Sequence, residues 1–431
     1  MESRPPRGHR LAVVVDRSED PAPRLPGQGE ARRATVVISL AVLCASSTWF
    51  AGAAAGDEIA RGLGHGASAA AWFTTITQVG FVVGTLVFAV LNLADRFPPR
   101  RVFALSALLG AGTTLGFANA SSLPLALGLR FLTGFAMAGV YPVGMRLVAA
   151  WSPRGLGLRL SVLVGALSLG TAFPFAIRAI LESSENRASA VGSTAVVVAS
   201  AAGVLGALIV FLAAEGPRLR ARAVFDPKQV WAPFRSRAFR RNAFGYFGHM
   251  VELYAFWGLL PLWLRSARPD WIEADVQMVA AVVVGCGAIG CLLGGVIQQR
   301  IDFERTEPIS RGSLAVARGA LVVSGACCLC SPGLARLPDS LMLPLLGLWG
   351  LAVLADSPQF STLAAQTCPA EYTGTALTVQ NGAGFLCTVL SIQGLAALSG
   401  AIEPTLAFSF LAVGPLFGLL ALRSGFSAES D

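Results

Sequence analysis

Residues 245–263 read GYFGHMVELYAFWGLLPLW. The stretch is long and apolar enough to cross a bilayer, whose hydrocarbon core takes about 20 helical residues. Yet it carries His249 and Glu252 one helical turn apart near its middle. A charge at the centre of a membrane helix costs roughly 2.5–3.5 kcal/mol on insertion scales, so such a side chain faces a partner or a watery cavity. Tyr246, Tyr254 and Trp257 surround the pair with rings that are apolar but also hydrogen-bond. The stretch therefore predicts one helix of a bundle built around a polar interior.

The rest of the chain agrees. It is 54% hydrophobic and only 13% charged, where soluble domains carry about 25% charged residues. The protein is read as an all-α, polytopic membrane protein. A net charge of +8 would suit nucleic acid, but its distribution argues against that partner. Lys228 is the only lysine, and the arginines gather in alternate loops, a pattern that sets membrane orientation. The eight cysteines fall inside or beside apolar stretches. Cys327, Cys328 and Cys330 include a Cys-x-x-Cys, but no neighbouring His or acid completes a metal site. No metal, disulfide framework or cofactor is expected.

Residues 1–33 are rich in Pro, Gly and Arg and read as a disordered, basic, cytosolic tail. Their one apolar run, Leu11 to Val15, is too short for a signal peptide. Apolar spans then follow at roughly 35–55, 69–91, 102–119, 123–149, 157–178, 193–213, 242–264, 276–297, 312–331, 340–362, 374–398 and 404–422. Twelve spans place both termini on one side. Arg61, Arg178, Arg187, Arg265, Arg268 and Arg336 fall on the opposite side, while the single connection from Arg218 to Arg241 holds more basic residues than these together. Basic loops stay in the cytoplasm, so both ends are assigned there, in the plasma (inner) membrane. The connection 214–241 is the longest loop. It separates an N-terminal six-helix half, 34–213, from a C-terminal half, 242–423, with 424–431 as a terminal tail.

The halves echo one another. The second span of the first half runs into Leu91-Asn92-Leu93-Ala94-Asp95-Arg96-Phe97-Pro98-Pro99-Arg100-Arg101, and that of the second into Gly295-Val296-Ile297-Gln298-Gln299-Arg300-Ile301-Asp302-Phe303-Glu304-Arg305. Paired repeats enclosing a midplane site are the layout of secondary transporters. At these residues the chain resembles the major facilitator superfamily, with its Gly-x-x-x-Asp-Arg-x-Gly-Arg-Arg signature after helix 2. Asp95, Arg96 and Arg100 fit. Leu91 replaces the opening glycine and Pro98-Pro99 the Gly-Arg; the second copy keeps Gly295 and Arg300, with Gln299 where the acid would stand. The fourth span adds Arg130-x-x-x-Gly134 followed by Tyr141-Pro142, which is similar to a family segment. The fifth, from Gly165 to Pro174, differs from the drug/proton antiporter signature in spacing and proline position, so antiport is not supported. Within the family, the bacterial carriers grouped with nitrate, nitrite and cyanate permeases are the most similar group.

The resemblance implies twelve helices in two six-helix halves, a cavity lined mainly by helices 1, 4, 7 and 10, and no enzymatic activity. Those spans hold nearly every deep polar residue. Arg130, His249, Glu252 and Asp356 are the charged candidates for substrate and proton contact; Trp49, Tyr254, Trp257, Gln380 and Asn381 are the uncharged ones. Each also has a plainer role: Arg130 in a structural ion pair or backbone hydrogen bond, Asp356 capping a kink at Pro358, Gln380 and Asn381 in interhelical hydrogen bonds, and the rings as cavity wall. Asp95, Arg96, Arg100 and Arg300 are read as gating and loop-anchoring residues. Arg130 and Glu252 reach similar depths, which suggests an anion held by Arg130 and a proton shared by Glu252 and His249.

The expected function is secondary active transport of a small polar, anionic solute by alternating access, with protons as the coupling ion and a monomer in the bilayer. No P-loop sequence is present. The alternatives are an efflux antiporter, a membrane-embedded enzyme using Glu252, His249 and Asp356 as acid/base groups, and a non-transporting sensor. The enzyme lacks a nucleophile or metal constellation, and the sensor lacks a signalling domain.

Overall fold

The computed structural model describes residues 27–151, 156–183, 191–217, 231–303, 309–368 and 373–423. The readings made for the tail before residue 27, for 218–230 and for 424–431 lie outside the described residues. The chain forms α1 (Gln28–Gly62), α2 (Ala69–Val90), α3 (Pro99–Ala118), α4 (Leu123–Ala150), α5 (Leu156–Ser183) and α6 (Val191–Leu212). Then come α7 (Arg237–Ala267), α8 (Glu273–Asp302), α9 (Arg311–Leu329), α10 (Asp339–Thr367), α11 (Ala376–Ala401) and α12 (Pro404–Leu422). Eleven of these are long and apolar enough to cross a membrane. The twelfth is α7, whose hydropathy is lowered by the His, Glu, Tyr and Trp residues that singled it out, and whose 31 residues give it the length of a span. Helix ends differ from expectation by several residues, and α7 starts at Arg237, inside the connection read as 214–241. α1 starts at Gln28, inside the segment read as tail, and Glu30 accepts a hydrogen bond from the Gly27 N–H at 3.2 Å to cap it.

Among the described residues, three of the long helices are interrupted midway by a turn. α1 turns at residues 47–50, α4 at 138–140 and α10 at Asp356. In α1 the hydroxyls of Ser47 and Thr48 turn back onto the carbonyls of Cys44 and Ala45, at 2.7 and 2.9 Å. Such local bonds compete with the helical ladder. In α4 and α10 a proline follows the break, Pro142 and Pro358, and proline has no N–H to give to the residue four before it. For Pro358 that residue is Leu354, whose carbonyl instead accepts the Cys291 thiol at 3.4 Å.

The helices form two six-helix halves, α1–α6 and α7–α12, each held by close crossings. In the first, α2 and α4 meet so tightly that a Cβ at Gly80 would lie 2.0 Å from the Phe131 carbonyl oxygen, and one at Gly134 1.8 Å from that of Thr77. In the second, α8 and α10 repeat the arrangement: a Cβ at Gly290 or at Gly350 would lie 2.0 Å from the carbonyl oxygen of Leu351 or Val283. The internal repeat, faint in the sequence, is thus plain in the packing. The halves join along α5–α8 and α2–α11. Ser168 donates to the Val284 carbonyl at 2.6 Å on one seam, and Gln393 to Thr75 at 2.6 Å on the other.

Gly134→Ala and Gly350→Ala are expected to destabilise the fold by about 1–3 kcal/mol or more, because the methyl meets backbone that cannot yield. Melting in detergent should show both variants well below the parent, with Gly112→Ala, where no atom lies within 4 Å, unchanged or slightly stabilised.

Candidate functional site

His249 and Glu252 share a helix but not a partner. Glu252 is buried and turned toward α9 and α10, where it accepts from Trp349 Nε1 at 2.7 Å, Ser324 Oγ at 2.8 Å and Cys328 Sγ at 3.3 Å. His249 Nδ1 lies 2.9 Å from Asp356 Oδ1, and both side chains are buried. The two groups are in ion-pair contact, and the other ring nitrogen, His249 Nε2, has no hydrogen-bond partner. His249 thus contacts Asp356 of α10 rather than Glu252. Sequence spacing placed His249 and Glu252 on one turn, but α10 breaks at Asp356 and brings its carboxyl to the imidazole. The rings of Tyr246 and Phe360 flank His249 at 5.9 and 5.7 Å.

Arg130 is fully buried and bonded to backbone. Its Nη1 donates to the Thr48 carbonyl at 3.0 Å and its Nη2 to that of Trp49. These belong to the broken turn of α1, whose carbonyls have lost their helical donors. Gly52 makes room for the guanidinium, since a Cβ there would fall 2.9 Å from Nε, and the Phe117 ring lies 5.4 Å away. Arg130 does not face Glu252 across a cavity, as the sequence suggested. One serves the interior of the N-terminal half and the other that of the C-terminal half.

Aromatic rings from both halves close over the centre. Trp49 of α1 stacks on Tyr254 of α7 at 6.0 Å and on Phe385 of α11 at 5.9 Å, and Phe50 meets Trp257 edge-on at 5.9 Å. Trp49 Nε1 donates to Gln78 Oε1 at 3.3 Å. On α11, Gln380 accepts from Asn242 Nδ2 at 2.9 Å and is tied to α7. Asn381 instead lines a cavity of about 500 Å³ between the halves, together with Thr85, Met145, Gln298, Gln366 and Thr378. The lining comes from the ends of α2, α4, α5, α8, α10 and α11 that lie on the side where α1 begins, and Phe385 stands one turn deeper than Asn381.

The opposite side is closed by a charge cluster that sequence reasoning missed. Arg178 of α5 contacts Asp57 of α1 at 2.7 Å and Glu273 of α8 at 3.5 Å. Arg265 of α7 contacts the same two carboxylates, at 3.1 and 2.6 Å. Each acid is thus shared between an arginine of its own half and one of the other. Arg178 also reaches the Ala54 carbonyl. The pairs join positions 121 and 208 residues apart, which no local motif reveals. The available signal was that Arg178 lies at the end of an apolar span.

The expected gate residues are spread more widely. The side chain of Asp95 lies outside the described residues, and Arg96 and Arg300 are exposed. Arg100 ties the start of α3 to the segment after α6, donating to the Ala213 carbonyl at 2.9 Å and contacting Glu215 at 3.4 Å. In the second half the anchoring acid is Asp302, which accepts from Gln298 at 2.8 Å, Ser310 Oγ at 2.5 Å and the Gly312 N–H at 2.9 Å. The acid missing at Gln299 is supplied three residues later.

The sequence matches the Major Facilitator Superfamily across residues 36–392. The chain belongs to this family. A probable sulfoacetate transporter from Cupriavidus necator is 27% identical over 281 residues, which is 58% of this chain and 61% of that relative. The match thus spans less than two thirds of the relative's length. A bacterial homologue of the human lysosomal transporter Spinster, solved in an inward-facing and occupied conformation, superposes with a TM-score of 0.66 at 13% identity, covering 94% of this chain and all of that one. It shares the fold. Membership of the superfamily accounts for two six-helix halves around a cavity.

Removing the Glu252 carboxylate would leave the Trp349, Ser324 and Cys328 donors buried without an acceptor, each costing about 1–3 kcal/mol. Glu252→Ala is therefore expected to melt far below the parent in detergent. Glu252→Gln, which keeps one acceptor oxygen, should fall between the two.

Proposed function

We propose that this protein carries a small organic anion of the sulfonate–carboxylate class across the plasma membrane by alternating access, in symport with protons. The observation that carries the reading is the likeness to a probable sulfoacetate transporter over 281 residues. A cavity between the halves, where Thr85, Gln298, Gln366, Thr378 and Asn381 stand among apolar side chains, gives a small polar solute a place to enter. The basic loops put both termini in the cytoplasm, so the cavity opens inward and the Asp57–Arg178–Arg265–Glu273 cluster closes the outer face. In this reading the cluster parts in the outward-open state. The coupling proton resides on the His249–Asp356 pair, at the α10 break between the cavity and the aromatic roof. Glu252, with three donors of its own half, holds helices together.

The test is uptake of labelled sulfoacetate into proteoliposomes with and without an imposed pH gradient. Accumulation driven by an inward proton gradient is expected, and its absence for sulfoacetate and for other two-carbon sulfonates and carboxylates overturns the substrate class. Asp356→Asn should abolish gradient-driven accumulation while leaving counterflow exchange. If Asp356→Asn still concentrates substrate, the proton is carried elsewhere.

The closed outer face gives a second expectation. In a background stripped of native cysteines, Asp57→Asn should increase labelling of a Thr75→Cys reporter by an impermeant maleimide added outside the cell. Unchanged labelling would mean that the charge cluster does not seal this face.

A further inference from the structure

We propose that Gln78 and Trp257 form the seat for one anionic group of the substrate, binding it through uncharged N–H donors rather than through an arginine. The proposal rests on the reading of the protein as an organic-anion carrier. The orientation of the Gln78 amide is set by its neighbour. An indole N–H only donates, so the Trp49 contact at 3.3 Å fixes the amide oxygen of Gln78 toward α1. Its NH₂ is then left fully buried with no acceptor, and so is the indole N–H of Trp257. Buried donors are nearly always paired, because an orphan loses its hydration with nothing in return.

These two orphans belong to one ring cluster and come from opposite halves. Gln78 is held by Trp49, Trp49 stacks on Tyr254, and Tyr254 packs edge-on against Trp257 at 5.8 Å. Thr74, one turn before Gln78, faces Gly258, next to Trp257: a Cβ there would lie 3.2 Å from its methyl. Gln359 and Gln380 also carry orphan NH₂ groups, but their oxygens are tied to Ser313 and Asn242 inside the C-terminal half. An acceptor-rich group such as a sulfonate or carboxylate, rising from the cavity as the rings of Trp49 and Tyr254 part, meets a donor from each half. Arg130 is turned elsewhere: its terminal nitrogens are on the carbonyls of Thr48 and Trp49, and its unpartnered Nε lies against Gly52 of its own half. Uncharged donors in a water-poor site bind an oxyanion without a fixed counter-charge, and release does not require breaking an ion pair.

The test measures sulfoacetate affinity of the purified full-length protein by calorimetry, with ligand-free melting temperature as a control for folding. Trp257→Phe keeps the ring and removes the N–H, and Gln78→Glu keeps the shape but replaces a donor with an acceptor. Each is expected to raise Kd by about tenfold or more, as loss of a hydrogen bond to a charged group does, while Gln359→Glu changes it little. Parent-like affinity in both Trp257→Phe and Gln78→Glu overturns the seat while leaving the anion-carrier reading intact. A parent protein that binds neither sulfoacetate nor any other short sulfonate or carboxylate overturns that reading and the seat with it.

Discussion

A carbonyl set free where a helix breaks inside a bilayer must find a donor within the protein, because hydrocarbon offers none. Much of the interior follows from this constraint. The break in α1 calls for donors at Thr48 and Trp49, and Arg130 crosses from α4 to supply both. That use of a full guanidinium demands space, which Gly52 provides by having no side chain. The break in α10 frees the Leu354 carbonyl, and the Cys291 thiol of α8 takes it. The breaks in turn present chemistry: the α1 turn sends Trp49 and Phe50 into the roof, and the α10 turn sets Asp356 beside His249.

Buried polarity thus divides into two kinds. Glu252 has both carboxylate oxygens taken up by partners within one half, while Arg130 gives its two terminal nitrogens to backbone and leaves only Nε unpartnered. His249, Asp356, Gln78 and Trp257 keep unmet donors or acceptors near the junction of the halves. An intramembrane charge alone does not tell these cases apart. Unfulfilled hydrogen-bonding capacity does.

This distinction marks what could be read from the sequence. Span number and the division into halves follow from apolar runs and loop charge, which are properties of consecutive residues. Even α7, the least apolar helix, was legible because its rings and its acid stand in an otherwise membrane-length stretch. The candidate residues were found by type, since few charges survive inside a bilayer. Their partners were not found. Glu252 and His249 stand three apart in sequence, yet side chains on one turn diverge as soon as different helices supply their contacts. The charge cluster opposite the cavity escaped entirely, because Asp57, Arg178, Arg265 and Glu273 each look like an ordinary span-end residue until four helices converge. The acid anchoring the second loop was displaced to Asp302, where motif spacing did not point.

The reciprocal glycine crossings have a mechanical consequence. At Gly80 and Gly134, and again at Gly290 and Gly350, backbone rests on backbone with no side chain between. Such a joint neither slides nor tilts without collision. The seams between the halves are built otherwise. At Gly285 the nearest atom to a Cβ would be a Leu169 methyl at 3.7 Å, and at Gly295 it is the hydroxyl of Ser161. Those contacts end in rotatable side-chain tips, which give way by changing rotamer. The tightest backbone contacts are therefore concentrated inside each half, while along α5–α8 backbone comes no nearer to a Cβ than the 3.3 Å of Ala288 at Gly165, which leaves each half the stiffer unit and the seam between them the looser one.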